Sequence, residues 1–321
     1  MSPEAIGWIG FHVFIFAMLA LDLGVFNRKA HTIHVREALV WSGVWIGLSL
    51  LFGAGLWLWQ GQEAATQYLA GYLLEKSLSV DNIFVILMIF SYFAIPPQYQ
   101  HKILFWGILG ALAMRASLIF LGVALIHRFH AIIYAFGALL LWAAWRMGRH
   151  QEAEIAPDRN PVVRLFKRFM PVCADVSSGK FFVRDAGRLI ATPLFLCLLT
   201  IETADLAFAL DSIPAIFGVS EDPFIIYTSN IFAILGLRSL YFALAGVIHR
   251  FHYFRYGLAA VLGFVGVKML LSEIYKIPVW AALAVVVGCI GVSVAASVWF
   301  PPRTARVDSV AVEQPGDQGG D

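Results

Sequence analysis

Nine predominantly apolar stretches occupy most of this chain, at roughly 5–26, 38–59, 69–95, 102–125, 130–148, 191–217, 224–247, 254–273 and 278–300. A helix needs about 20 such residues to cross the hydrocarbon of a bilayer. Lipid offers the backbone no hydrogen-bond partner, so segments of this kind span only as helices that satisfy their amides internally. The expected fold class is therefore an all-α polytopic membrane protein with about nine transmembrane helices. The first stretch is preceded by Glu4 in place of a basic leader, carries Asp22 and lacks a small-residue cleavage pattern, so it is expected to be a span and not a signal peptide. Composition points the same way, with 60% hydrophobic and only 14% charged residues. A net charge of +2 leaves no basic excess for a nucleic-acid surface. Cys173, Cys197 and Cys289 are too dispersed for a disulfide framework or a zinc knuckle.

Cytoplasmic loops of membrane proteins retain Lys and Arg, so their placement orients the chain. With the N-terminus outside, the cytoplasmic segments hold sixteen of the 23 basic residues: Arg28, Lys29, Arg36, Lys102, eight between 149 and 188, Arg250, Arg255, Arg303 and Arg306. The opposite side holds Arg128 and Lys276. The expectation is an N-out, C-in protein of the cell's inner membrane.

The segment Ile126-His127-Arg128-Phe129-His130 recurs as Ile248-His249-Arg250-Phe251-His252, 122 residues later. Around it Tyr134 matches Tyr256, Arg146 matches Lys268 and Arg115 matches Arg238, while Glu75-x5-Asp81 matches Asp205-x5-Asp211 at an offset of 130. Each repeated unit holds three spans, so the second enters from the opposite face and the two are inverted. This divides the chain into two N-terminal spans (1–68), a first three-helix repeat (69–148), a charged cytoplasmic linker (149–190), a second repeat (191–273), a last span (274–300) and a tail (301–321) too polar to fold. Inverted repeats of this kind build secondary transporters with a substrate site near the midplane, although duplication alone is also compatible with packing.

Asp22, Glu75, Asp81, Glu202, Asp205 and Asp211 all fall in expected spans. At roughly 2.5–3.5 kcal/mol for each charge at the bilayer centre, six deep carboxylates would outweigh the stability of a typical domain. Arg115 and Arg238 can pair with some of them and lock the bundle; a bound divalent cation or protonation would neutralise the rest. Glu202 and Asp205 share a helix face, whereas Asp211 points away on an ideal helix. Pro214 is expected to break or kink that helix and free the Leu210 carbonyl as a ligand. Asn82 and Ser212 are candidate neutral oxygen ligands, alongside Ser77, Ser79, Thr203 and Asn230. An all-oxygen set suits a hard cation such as Mn²⁺, Ca²⁺ or Mg²⁺ better than zinc or copper. The paired histidines of the repeated segment are expected at helix ends, in capping roles. No hydrolase, metalloprotease or nucleotide-binding motif appears in a supporting context, so neither enzymatic activity nor an organic cofactor is expected.

The run from Glu202 to Phe217, ETADLAFALDSIPAIF, followed by Asp222-Pro-Phe and by TSNIFAILGLR ending at Arg238, resembles the signature of the TerC family of integral membrane proteins. The stretch from Glu75 to Phe84, EKSLSVDNIF, resembles that family's other acidic motif, and Asp22-Leu with Arg28-Lys29 resembles its first span, so the likeness covers most of residues 10–300 and is nearest to the Alx-like branch. The resemblance implies metal homeostasis: export of Mn²⁺ as the transported ion, with the acidic positions at Asp22, Glu75, Asp81, Glu202, Asp205 and Asp211, and protons as a candidate coupling ion. It also carries two alternatives, a non-transporting scaffold linked to tellurium resistance and a Ca²⁺/H⁺ exchanger. Expected partners are the lipid bilayer and the divalent cation; the oligomeric state is left open.

Overall fold

A computed structural model of the chain describes residues 3–21, 35–129, 131–149, 160–173, 179–185, 188–244, 253–275 and 277–300. Asp22 lies outside the described residues, as do the second copy of the repeated histidine segment and residues 301–321. The helices are α1 (Pro3–Leu21), α2 (Val35–Gln60), α3 (Gln62–Tyr92), α4 (Pro97–Arg128), α5 (Ile132–Arg149), α6 (Pro161–Phe169), α7 (Pro193–Phe217), α8 (Pro223–Leu235), α9 (Leu237–Leu244), α10 (Phe254–Leu270) and α11 (Val279–Trp299). Strands β1 (Phe182–Asp185) and β2 (Arg188–Ala191) form an antiparallel hairpin before α7. The segment read from sequence as a charged cytoplasmic linker, 149–190, thus holds a short helix and most of this hairpin.

Among the described residues, five helices are long and apolar enough to cross a membrane: α2, α4, α7, the α8–α9 pair and α11. The other expected spans also fall on helix. However, α3 carries Glu63, Glu75, Lys76 and Asp81 along its 31 residues, and α5 and α10 have only 18 and 17. The chain is a nearly all-helical membrane protein.

Local chemistry sets the helix boundaries. Pro97, Pro161, Pro193 and Pro223 open helices at the position where a missing amide costs nothing. Asp222 caps α8, its carboxylate accepting from the Phe224 amide at 2.8 Å. Gly61, at φ 93°, joins α2 to α3 as a single residue in a conformation that glycine alone adopts freely. The break expected at Pro214 is absent, because α7 runs continuously to Phe217. Pro214 falls in the last turn, where it removes one hydrogen bond without opening the helix. The interruption comes instead at Gly236, between α8 and α9.

Helix directions follow from which residues meet. Gly71 of α3 lies against Ser229 of α8, and Lys76 of α3 reaches Ala233, so these helices run parallel. Gly107 of α4 lies against Ile201 of α7, and Gly122 against Phe217, so they too run parallel. By contrast, α3 and α7 are antiparallel, with Gly71 beside Ile216 and with Asn82 and Asp205 lining one cavity. α5 and α10 pack extensively and antiparallel, Gly137 meeting Gly266 and Ala144 meeting Gly263. An aromatic cluster of Trp8, Phe11, Phe52, Phe224, Tyr227 and Phe232 holds α1 and α2 onto α8. Small residues replace the hydrophobic effect as the means of close helix approach in lipid.

A Cβ at Gly137 would lie 3.1 Å from the Gly266 carbonyl, a backbone atom that cannot swing aside. Gly137→Ala should therefore destabilise the detergent-solubilised protein by ~1–3 kcal/mol, seen as a lower melting temperature. Gly288→Ala meets nothing within 4 Å and should be neutral or slightly stabilising.

Candidate ion-translocation site

Arg115 is the largest fully buried side chain among the described residues, with 1% of its surface exposed, in the middle of α4. A guanidinium there needs compensation from every side, and α3 and α7 supply it. Nη1 donates to the Glu75 carboxylate of α3 in a short contact and to Ser212 Oγ of α7 at 3.3 Å. Nη2 and Nε donate to the two oxygens of Asp205 on α7, at 3.0 and 3.3 Å. This two-point hold on a carboxylate is the geometry at which guanidinium excels. Glu75 is fully buried, and its second oxygen, Oε2, has no hydrogen-bond partner among the described residues.

Glu202, one turn before Asp205, aims at α4 as well. Its carboxylate fills the space left by Gly110, where any Cβ would overlap it, and it lies close enough to Asp205 for the two charges to repel. The Glu202–Asp205 pair and Arg115 thus occupy one α4/α7 seam. Next to it is a cavity of about 30 Å³ between α3, α4, α7 and α9, walled by apolar residues such as Ile86, Ile108, Ile201 and Phe208, with Asn82 and Asp205 as its polar groups. That volume is large enough for water or a small ion.

Asp81 and Asp211 stand apart. Antiparallel packing sets Asp211 at the depth of Glu75 and Asp81 at the depth of Asp205. Six residues along a helix, however, turn a side chain through 240°. Asp211 instead approaches Arg146 of α5 at 3.8 Å, and Arg146 also stacks on Trp142. Asp81 lies within the field of Arg255 on α10. Among the described residues no group of three or more His, Cys, Asp or Glu side chains converges on one point as a metal cage. Of the expected acids, the structure brings Glu75 and Asp205 together at Arg115 with Ser212, sets Glu202 beside Asp205, and holds Asp211 against Arg146, while Asp81 lies apart from Arg115. Arg238 is half-buried in the first turn of α9, and Pro214 follows Ser212 by two residues in the last turn of α7.

Two contributions were not visible in the sequence. Lys76 donates to the Ala233 carbonyl at 3.3 Å, in the last turn of α8, and its ammonium occupies the space that a side chain at Gly236 would fill. A cation at a helix C-terminus is stabilised by the exposed carbonyls there. Gly110 is the second; its three-residue spacing from Gly107 was a faint signal for a close α4 contact. Asn230 on α8 is fully buried, with neither side-chain polar atom hydrogen-bonded among the described residues.

Residues 60–305 match the family described as the integral membrane protein TerC family. An uncharacterized membrane protein, STKORF319, of Myxococcus xanthus is 52% identical over 290 residues, covering 90% of this chain and 91% of that one. A protein of Escherichia coli (strain K12), named as a proposed membrane-bound redox modulator, Alx, is 45% identical over 305 residues, covering 92% and 95%. An uncharacterized membrane protein of Rickettsia bellii is 40% identical over 291 residues, covering 91% and 96%. No solved structure matches.

Removing Arg115 would leave Glu75 and Asp205 buried without their counter-charge. Arg115→Gln should cost ~3–5 kcal/mol, read as a fall in thermal stability. Adding Glu75→Gln to that variant should restore part of the loss, because one orphaned charge goes with it.

Proposed function

The chain belongs to the TerC family of integral membrane proteins, and on that footing we propose that it is an inner-membrane secondary transporter exporting a hard divalent cation, Mn²⁺ first, from the cytoplasm. The observation that carries this reading is the buried Glu75–Arg115–Asp205 bridge with Glu202 beside it. Three carboxylates against one guanidinium leave two uncompensated negative charges when all are ionised. One divalent cation or two protons would neutralise them, which gives the site a natural exchange of metal outward for protons inward. In this mechanism Arg115 is the resident competitor: it holds Asp205 and Glu75 between turnovers and is displaced when the cargo takes their oxygens. Glu202 and Asp205 offer the cargo its first oxygens, Ser212 and Asn82 supply neutral ones, and the adjoining cavity gives it room. Asp81 and Asp211, at the same two depths on other helix faces, serve as flanking stations. An oxygen-only set favours Mn²⁺, Ca²⁺ or Mg²⁺ over softer metals.

The helix directions support two inverted three-helix repeats within a nine-span topology. In a pair of units related by a two-fold axis in the membrane plane, the first helix of each packs parallel to the second helix of the other, and like helices run antiparallel. The pairs α3 with α8, α4 with α7, α3 with α7 and α5 with α10 follow that scheme. An N-out, C-in orientation is supported by Arg146 and Arg149, stacked on Trp142 and Trp145 at the end of α5 that leads into the basic segment.

Reconstituted into proteoliposomes, the wild-type protein should carry Mn²⁺, and Asp205→Asn and Glu75→Gln should each lower flux about tenfold or more while remaining folded. Absence of flux under any imposed gradient would favour the scaffold alternative. Stronger competition by Ca²⁺ than saturation by Mn²⁺ would favour the Ca²⁺/H⁺ exchanger. Protons and metal compete for the same oxygens, so the half-saturating Mn²⁺ concentration should rise as pH falls. A titration of flux against Mn²⁺ at several pH values reads this directly. Gly110→Ala forces the Glu202 carboxylate out of its seat and should raise the half-saturating concentration several-fold with little loss of protein stability.

A further inference from the structure

The short helix α6 has two faces that no part of the transport reading uses. Nine residues, PVVRLFKRF, alternate so that Val162, Leu165 and Phe169 share one side and Arg164, Lys167 and Arg168 the other. The buried residues of α6 tie it to α7: Val163 is enclosed, and Phe166 packs on Phe195 at 5.0 Å between ring centres. Asn160 caps the helix, its Oδ1 accepting from the Val162 amide at 2.9 Å while its Nδ2 donates to Thr203 Oγ1 at 2.7 Å. α6 therefore runs back along the first three turns of α7. Outward lie Arg164, Lys167 and Arg168 on one side and apolar side chains on the other, Leu165 56% exposed and Phe169 79% exposed. On α7 the face of Thr203 continues into Leu206 and Leu210, both exposed. The apolar side of α6 extends a stripe that a membrane helix presents to lipid.

Large apolar side chains beside three cations on nine residues suit the boundary between acyl chains and charged headgroups. Basic residues at that level attract anionic lipid, each contributing about fivefold in binding near the surface. We propose that α6 is a lipid-anchoring helix: Leu165 and Phe169 enter the acyl region, and Arg164, Lys167 and Arg168 bind the phosphate of anionic phospholipid headgroups. This is independent of which cargo the protein carries. It gives 149–190 a function in fixing the position of α7, since Asn160 clasps the turn between Glu202 and Asp205.

The test uses the full chain, with its three native cysteines replaced by alanine, in nanodiscs of phosphatidylcholine with or without phosphatidylglycerol. A spin label at Phe169→Cys should relax with dissolved oxygen and be shielded from an aqueous nickel chelate, as a label at Leu210→Cys should, and unlike one at Glu221→Cys. A label open to nickel would overturn the proposal, and one shielded from both agents would show that protein covers the face. In detergent, native mass spectrometry should find phosphatidylglycerol retained by the parent protein and held at least about fivefold more weakly by Arg164→Gln/Lys167→Gln/Arg168→Gln. Unchanged retention would overturn the proposal, and so would loss of the bound lipid on adding excess inorganic phosphate, which would point to a free-phosphate site. The triple variant leaves the packing residues Val163 and Phe166 intact, and an unaltered melting temperature would show that it folds.

Discussion

A guanidinium enclosed among transmembrane helices is the constraint from which the rest of this structure follows. Arg115 is fully buried, and hydrocarbon cannot solvate its guanidinium. Glu75 from α3 and Asp205 from α7 must therefore meet on α4, which fixes the depth and rotation of three helices at once. Around this pin the interfaces are set by absence of side chain: Gly71 admits Ser229, Gly110 admits Glu202 and Gly122 admits Phe217. Lys76, next to Glu75, is turned toward α8 and closes its last turn. A change at Arg115 therefore reaches almost every helix of the central bundle.

Most of the helical frame was legible because apolar length is a strong signal, and the acidic positions were legible because charge in a span is rare. The arrangement of those acids was not. Glu75 and Asp205 could be chosen from sequence, yet nothing in it fixed Arg115 as the partner of both, with Arg238 left elsewhere. Asp81 and Asp211 illustrate the reason: six residues of helical rotation turn each away from the acid that precedes it, and only the neighbouring helices determine what it then faces. Pro214 was read as a break or kink because proline opposes helix. Its place in the terminal turn, visible only once α7 ends at Phe217, makes it nearly harmless. The true interruption, at Gly236, lies in a stretch where glycine alone does not distinguish a break from close packing.

The segment 149–190 was legible as a charged linker, but its short helix and hairpin were not. The high charge density of α6 hides its apolar face from any measure of mean hydropathy, and the Phe182–Phe195 contact at 4.5 Å that seats the hairpin joins residues that pattern alone does not pair. Structure turns the segment from a spacer into a brace alongside α7.

The parallel pairing of α3 with α8 and of α4 with α7 has a consequence for how the chain is made. Glu75 and Arg115 are 40 residues apart, whereas Arg115 and Asp205 are 90 apart. On a ribosome the first pair enters the bilayer well before α7 exists. An acid and a base that neutralise each other can wait there, and Asp205 then joins an arginine already held in place. The order of residues along the chain thus protects a costly buried charge during the interval when half of its final surroundings have not yet been synthesised.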